Sequence, residues 1–269
     1  MRFSMALTPV NYDEIAPTYH QRYAQNELEG IAAALRALVR AAGAERVLEA
    51  GCGTGRWLAE LRPWVQHVYG LDRSRGMLGQ AQRLLGPARL TNGDAVYLPF
   101  SNAAFDVIYS VNAIHHFGQP DVFIAEAWRR LRPGGALAVV GMDPHTQRDR
   151  WYLYDYFEGA READLRRFPS GGMILDWMVR AGFEKVEWEV VEHIRATHLG
   201  REVLSDHFLE KHSTSQLVLL TEEAYAAGRS RLEAEVRRAE AAGEKRVFPV
   251  DIWMTMLTGW VGGETAHGA

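Results

Sequence analysis

The chain has 269 residues, 47% of them hydrophobic and 24% charged, which is ordinary globular usage and excludes a disordered chain. The formal net charge is −4, from 30 Lys and Arg against 34 Asp and Glu, so the basic excess of a protein that grips a nucleic-acid backbone is absent. The single cysteine, Cys52, excludes an internal disulfide and a Cys-rich zinc site, and it suits a reducing cytoplasm.

Residues 1–9 hold only scattered apolar side chains, and Asn11, Asp13 and Glu14 soon follow, which is not the pattern of a secretory leader. No run approaches the roughly 18 apolar residues of a membrane span, so no membrane partner is expected. Residues 26–42 read as a helix, with Leu28, Ile31, Leu35, Leu38 and Val39 at helical spacing and Gly43 as a C-terminal cap. Short apolar strands at 46–50, 67–71, 89–91, 105–111 and 136–142 then alternate with helices at 56–61, 74–85 and 121–131. That alternation predicts a doubly wound, mostly parallel α/β sheet with helices on both faces.

The alternation then breaks. Residues 148–170 carry Trp151, Tyr152, Tyr154, Tyr156 and Phe157, a cluster that either packs an insertion onto the sheet or covers a substrate. Arg161, Arg166 and Arg167 read as a solvated face. A helix over 174–181, a strand over 184–194, a helical region over 199–243 and a last strand over 247–257 complete the chain. The expected organisation is one domain over 1–269. It has an N-terminal helical cap (1–42), a cofactor-binding core (43–145) and helical insertions (146–172 and 199–245) that shape an acceptor pocket.

Between the first strand and its helix lies Glu49-Ala50-Gly51-Cys52-Gly53-Thr54-Gly55-Arg56. A strand, glycine-rich turn and helix N-terminus form a general nucleotide-binding device. The dinucleotide fingerprint needs a third glycine where this chain has Arg56, which disfavours an NAD-type cofactor. Asp72 ends the second strand, where a carboxylate can accept hydrogen bonds from both ribose hydroxyls. Asp94 follows the third, where a carboxylate could accept from an adenine amino group while the Ala95 N–H reads a ring nitrogen.

Several stretches together resemble the class I S-adenosylmethionine-dependent methyltransferases, specifically the type 11 small-molecule group related to ubiquinone and menaquinone biosynthesis. They are residues 47–56, Gly70-Leu71-Asp72-Arg73-Ser74 through Met77-Leu78, Gly93-Asp94-Ala95 through Phe100, residues 105–110, and Leu131-Arg132-Pro133-Gly134-Gly135. The stretch from Tyr12 to Tyr19 resembles that group's opening segment. The specific motifs cover residues 11–143.

The resemblance implies a seven-stranded Rossmann-like sheet, S-adenosylmethionine as cofactor and methyl transfer to O, N, C or S of a small molecule. It implies that the Gly51, Gly53 and Gly55 turn, with Arg56 opening the helix, passes under the cofactor. Glu49 would meet its ammonium, Asp72 its ribose, and Asp94 with Ala95 its adenine. Met77 would cover one adenine face, the backbone near Ser110 would face the methionine amine, and Tyr19 would close over that end. Gly76 departs from the pattern, since the group commonly has a helix former there. His115 and His116 after the fourth strand, and His145 after the fifth, are candidates for a general base or an orienting group. No metal site is expected, because no third ligand stands at a convincing spacing. Cys52 reads as a small residue that fits the turn.

The alternative is a non-catalytic module that binds S-adenosylmethionine or S-adenosylhomocysteine. A nucleic-acid acceptor lacks an Asn-Pro-Pro-Tyr-type motif as well as a basic surface. Monomer and homodimer are equally compatible with the chain.

Overall fold

The computed structural model describes residues 11–19 and 28–263. Within them the N-terminal cap consists of α1 (Tyr12–Tyr19) and α2 (Glu29–Ala41). The parts of the expected cap at 1–10 and 20–27 lie outside the described residues. The core follows in chain order: β1 (Arg46–Ala50), α3 (Arg56–Leu61), β2 (His67–Asp72), α4 (Arg75–Leu85), β3 (Arg89–Asn92), β4 (Phe105–Val111), α5 (Pro120–Arg130) and β5 (Leu131–Met142). The second half contributes β6 (Arg150–Trp151), α6 (Tyr152–Tyr156), α7 (Ala160–Arg167), α8 (Gly171–Ala181), β7 (Lys185–Leu199), α9 (Ser215–Val218), α10 (Glu222–Ala241) and β8 (Val247–Trp260).

The sheet runs β3-β2-β1-β4-β5-β8, with β6 and β7 both paired to β8. The first five strands are parallel, and β8 lies antiparallel to β5, β6 and β7. The expected mostly parallel sheet is therefore present. The two-residue β6 raises the number of described strands to eight.

Strand alternation sends neighbouring residues to opposite faces. On one face Val47, Val107, Tyr109 and Ala138 join Ile31 and Leu35 of α2, Trp57 of α3 and Ala81 of α4. On the other, Leu48, Ile108 and Val139 meet Phe123 of α5 and Met178 of α8. Both faces are thus covered, as a parallel sheet requires.

The N-terminal helix is latched to the core. Ser74 N-caps α4, its Oγ accepting from Met77 N at 3.0 Å. The Ser74 hydroxyl also donates to Asp13 Oδ1 (2.7 Å), and Gly76 N donates to the same oxygen (2.7 Å). A Cβ on Gly76 would lie 3.0 Å from that oxygen and 3.2 Å from Ala16 Cβ. The glycine that departs from the family pattern is therefore the contact that lets α1 approach α4. Its cost in helix propensity is offset by this docking.

The insertions are less regular than expected. Residues 199–243 contain short 3₁₀ turns at Gly200–Ser205 and His207–Leu209 and the four-residue α9 before the long α10. A buried polar knot holds them together. Asp164 is fully buried and accepts from Tyr154 Oη (2.7 Å), Gln216 Nε2 (2.7 Å) and Arg167 (2.5 Å). Arg167 is consequently not part of a solvated face: its side chain is only 9% exposed. A guanidinium taken from water needs a carboxylate partner, and Asp164 supplies it. Arg166 is exposed, as expected, and Arg161 is half-buried over Tyr154.

The aromatic cluster is mainly packing. Tyr152 and Phe157 are fully buried, and the Tyr152 hydroxyl donates to Asp206 at 2.7 Å. Among the described residues no helix is long and apolar enough to cross a membrane.

Candidate active site

The parallel strands β1, β2, β3 and β4 end at a common edge, where open α/β sheets bind ligands. The turn after β1 is held there by two backbone bonds, Gly51 N and Cys52 N both donating to Leu71 O (2.8 and 3.0 Å). Gly51 has φ +74°, and a Cβ on it would lie 2.5 Å from that of Ala113, so no side chain fits. A Cβ on Gly53, in contrast, would meet no protein atom within 4 Å. The turn is thus packed against protein on one side and open on the other. The open side is a cleft of about 820 Å³, including its mouth.

Asp72 ties this turn to the neighbouring strand. One carboxylate oxygen accepts from Gly53 N (2.8 Å) and the other from Ser74 N (2.8 Å). Burial pushes the Asp72 carboxyl up, and the two N–H donors oppose that shift. Each oxygen keeps a further lone pair for a ligand hydroxyl. Asp94 is exposed on the cleft and accepts from Val96 N (3.1 Å) through one oxygen. Met77 and Ala95 are buried and line the same cleft.

Glu49 lies at the floor with only 1% exposure. Burial pushes its carboxyl well above the usual range, the nearby Asp72 charge adds to this, and the Tyr109 hydroxyl donating at 3.4 Å opposes it. A buried carboxyl on an open cleft has one obvious complement, a cationic group. The Cys52 thiol is buried and pushed up by desolvation and by Glu49, so it is no nucleophile.

Tyr19 and Arg56 line the cleft as expected. Ser110 itself is not among the lining residues and its side chain is fully buried, but the chain beside it, Val111, Asn112 and Ala113, forms the wall there. The reason is the strand period, since Ser110 points into the sheet packing while the chain turns outward only after Val111.

A second cavity of about 930 Å³, including its mouth, adjoins the first. The two share Tyr12, Tyr19, Asn112 and His116. Tyr12 Oη and His116 Nε2 are 2.6 Å apart, a direct hydrogen bond at the junction. Asn112, the residue that bends the chain there, has φ +52°, a left-handed conformation that Asn tolerates better than most.

The three candidate histidines separate. His116 is at the junction. His115 lines only the second of these cavities, stacked on Phe168 with centroids 3.8 Å apart, and burial holds its pKa well below the ordinary value. His145 lines neither; its Nε2 is 2.8 Å from Phe168 O. Among the described residues no cluster of three or more His, Cys, Asp or Glu could hold a metal ion.

Sequence reasoning missed Tyr12 and Asn112. The seven-residue spacing of Tyr12 and Tyr19, two helical turns, was the available signal for Tyr12. Asn112 had none, because its backbone conformation depends on the tertiary turn.

Residues 48–139 match the family model described as a methyltransferase domain. The fold as a whole is that of class I methyltransferase structures. The domain is 35% identical over 128 residues to a malonyl-[acyl-carrier protein] O-methyltransferase of Enterobacter lignolyticus, covering 47% of this chain and 50% of that one. It is 33% identical over 137 residues to a fatty-acid O-methyltransferase of Mycolicibacterium smegmatis, covering 49% and 45%. The chain thus spans about half the length of these curated relatives. The fold is also that of a Haemonchus contortus phosphoethanolamine N-methyltransferase solved with S-adenosylhomocysteine, with TM-score 0.56 and 18% identity, over 93% of this chain and 57% of that one.

Proposed function

We propose that this chain is an S-adenosylmethionine-dependent methyltransferase acting on a small-molecule acceptor. The observation that carries the reading is the cleft at the strand ends. It joins an open glycine turn, a carboxylate anchored by Gly53 and Ser74, and a buried Glu49 at the floor. These residues fit the cofactor: Asp72 would accept from the ribose hydroxyls, Asp94 and the Ala95 N–H would read adenine, and Met77 would cover it. Glu49 would meet the ammonium, and Tyr19 would close the methionine end. The cationic ammonium answers the charge that burial makes costly on Glu49.

When bound, the cofactor supplies a methyl group: its S–CH₃ bond breaks as the acceptor–CH₃ bond forms, and the electron pair stays on sulfur in the thioether. What this chain must do is hold the acceptor in line and exclude water. If the acceptor carries a proton, the chain must also take it. Tyr12, Tyr19 and His116 line both cavities, and of these Tyr12 and His116 are bonded to each other at 2.6 Å. We assign the second cavity to the acceptor and His116, through Tyr12, to proton removal. Relatives named as malonyl-[acyl-carrier protein] and fatty-acid O-methyltransferases support an oxygen acceptor.

Calorimetry with S-adenosylhomocysteine tests the cofactor reading, with micromolar binding expected and absence of binding overturning it. The rival reading, a non-catalytic binding module, would show the same binding without turnover on any acceptor. The hydrogen-bonded pair at the cavity junction favours catalysis over that rival.

A further inference from the structure

The acceptor cavity has a chemical character of its own. Leu28, Met142, Ile194, Ile252, Met254 and Phe208 supply apolar walls. Among the described residues its polar groups are the run Ser213–Gln216, His115, the Trp151 indole N–H and the junction residues. No Lys, Arg, Asp or Glu is among the described residues that line it. The buried cation Arg167 sits behind Phe168 and Ser215, bonded to Ser215 Oγ at 3.2 Å and ion-paired with Asp164, with its Nε and Nη1 making no hydrogen bond. Asp164 accepts from Arg167 through Oδ1 and from Tyr154 and Gln216 through Oδ2. The cavity therefore offers no counter-charge to a carboxylate, a phosphate or an ammonium, and burying an unpaired charge is costly.

We propose that the acceptor is a neutral, largely apolar molecule carrying an acidic hydroxyl of the phenol or enol class. The proposal rests on the methyltransferase reading above and names the substrate class of that site. The hydroxyl donates to Tyr12 Oη, and Tyr12 donates to His116 Nε2 across the 2.6 Å bond. As the methyl–oxygen bond forms, the hydroxyl proton moves to Tyr12, and the Tyr12 proton moves to His116 Nε2, which returns it to water between turnovers. A phenol, with a pKa near that of tyrosine at about 10, can yield its proton to this pair. An aliphatic alcohol is far less acidic and suits it poorly.

The experiment uses the full chain saturated with S-adenosylhomocysteine, whose own binding is measured first by calorimetry. Loss of that binding would indict the cofactor reading and not the acceptor class. With the cofactor product bound, affinities are measured for 2-naphthol, naphthalene, 2-naphthoate and 2-naphthylmethylammonium at neutral pH. The expected result is 2-naphthol at least tenfold tighter than each of the other three. In Tyr12→Phe, 2-naphthol and naphthalene should converge to within about threefold. Phe208→Ala should weaken 2-naphthol at least fivefold while S-adenosylhomocysteine changes less than twofold. Met254→Lys, if its melting curve shows a folded protein, should turn the preference toward 2-naphthoate. Equal or tighter binding of naphthoate or the ammonium to the unmodified chain overturns the proposal. So does a hydroxyl preference that survives Tyr12→Phe, or 2-naphthol binding indifferent to Phe208→Ala.

Discussion

The two cavities meet at Tyr12 and His116 but are built by different means. The cofactor cleft is made largely of backbone: two N–H groups on Leu71 O, the Gly53 and Ser74 N–H groups on Asp72, and the Val96 N–H on Asp94. All of it comes from one contiguous stretch at the ends of parallel strands. The acceptor cavity is made of side chains from α1, β5, β6, β7, α9 and β8, together with the loops beside them. Backbone geometry constrains residue type tightly, because only glycine fits at Gly51 and only a short carboxylate reaches both N–H groups at Asp72. An apolar wall accepts many residues of similar volume. The lesson is that the first cavity constrains residue type tightly, while the second leaves it free to vary, which suits their proposed roles as cofactor and acceptor sites.

Substitutions on each side break or sharpen this contrast. The largest effect belongs to the junction: His116→Asn should lower kcat by roughly 10²- to 10⁴-fold with cofactor affinity nearly intact. Single-turnover and steady-state assays on the methylated product would separate the two. Asp72→Ala comes next, because it leaves the Gly53 and Ser74 N–H groups without their acceptor and removes the ribose contact. A loss of about 2–3 kcal/mol, or some 30- to 150-fold in cofactor affinity, is expected by calorimetry. Asp94→Ala removes one exposed contact and should cost about tenfold, with erosion of the preference for adenosine over inosine derivatives. Equal discrimination by that variant would refute its assigned role.

The smallest effect is the most diagnostic of the floor. Burial raises the folded-state pKa of Glu49 well above the ordinary carboxyl value. The ionised form therefore costs the fold stability, and that cost grows as pH rises from the unfolded value toward the folded one. Glu49→Gln should match the unmodified chain near pH 4 and be more stable at pH 7 by about 1 kcal/mol, a melting shift of roughly 2–4 °C. The same variant should bind the cofactor more weakly. A cationic ammonium draws the Glu49 pKa back down, so binding should release protons at neutral pH. Calorimetry in buffers of different ionisation enthalpy should detect that release in the unmodified chain and lose it in Glu49→Gln.

The legibility of the sequence follows the same division. The cofactor-side residues read from the motifs line the cleft except Gly55 and Ser110: a Cβ on Gly55 would lie 3.0 Å from Ala81 Cβ, against α4, and the Ser110 side chain is buried, so Val111–Ala113 form the wall beside it. Gly76 looked like a weak helix start because its reason is not local: it is the approach of α1 across a sequence gap of more than 60 residues. Arg167 looked solvated because its helix is strongly polar, and nothing nearby in sequence shows that Gln216 and Tyr154 close over Asp164. The three histidines were indistinguishable by type and position. Only the Tyr12 contact, 104 residues away in sequence, separates His116 from the rest.

The division between the two cavities can be tested in one set of titrations, with S-adenosylhomocysteine run into the unmodified chain, Asp72→Ala and Phe208→Ala. Micromolar binding to the unmodified chain and to Phe208→Ala, with Asp72→Ala weakened at least 30-fold, is the predicted result. No binding to the unmodified chain, or equal damage from both substitutions, would contradict it.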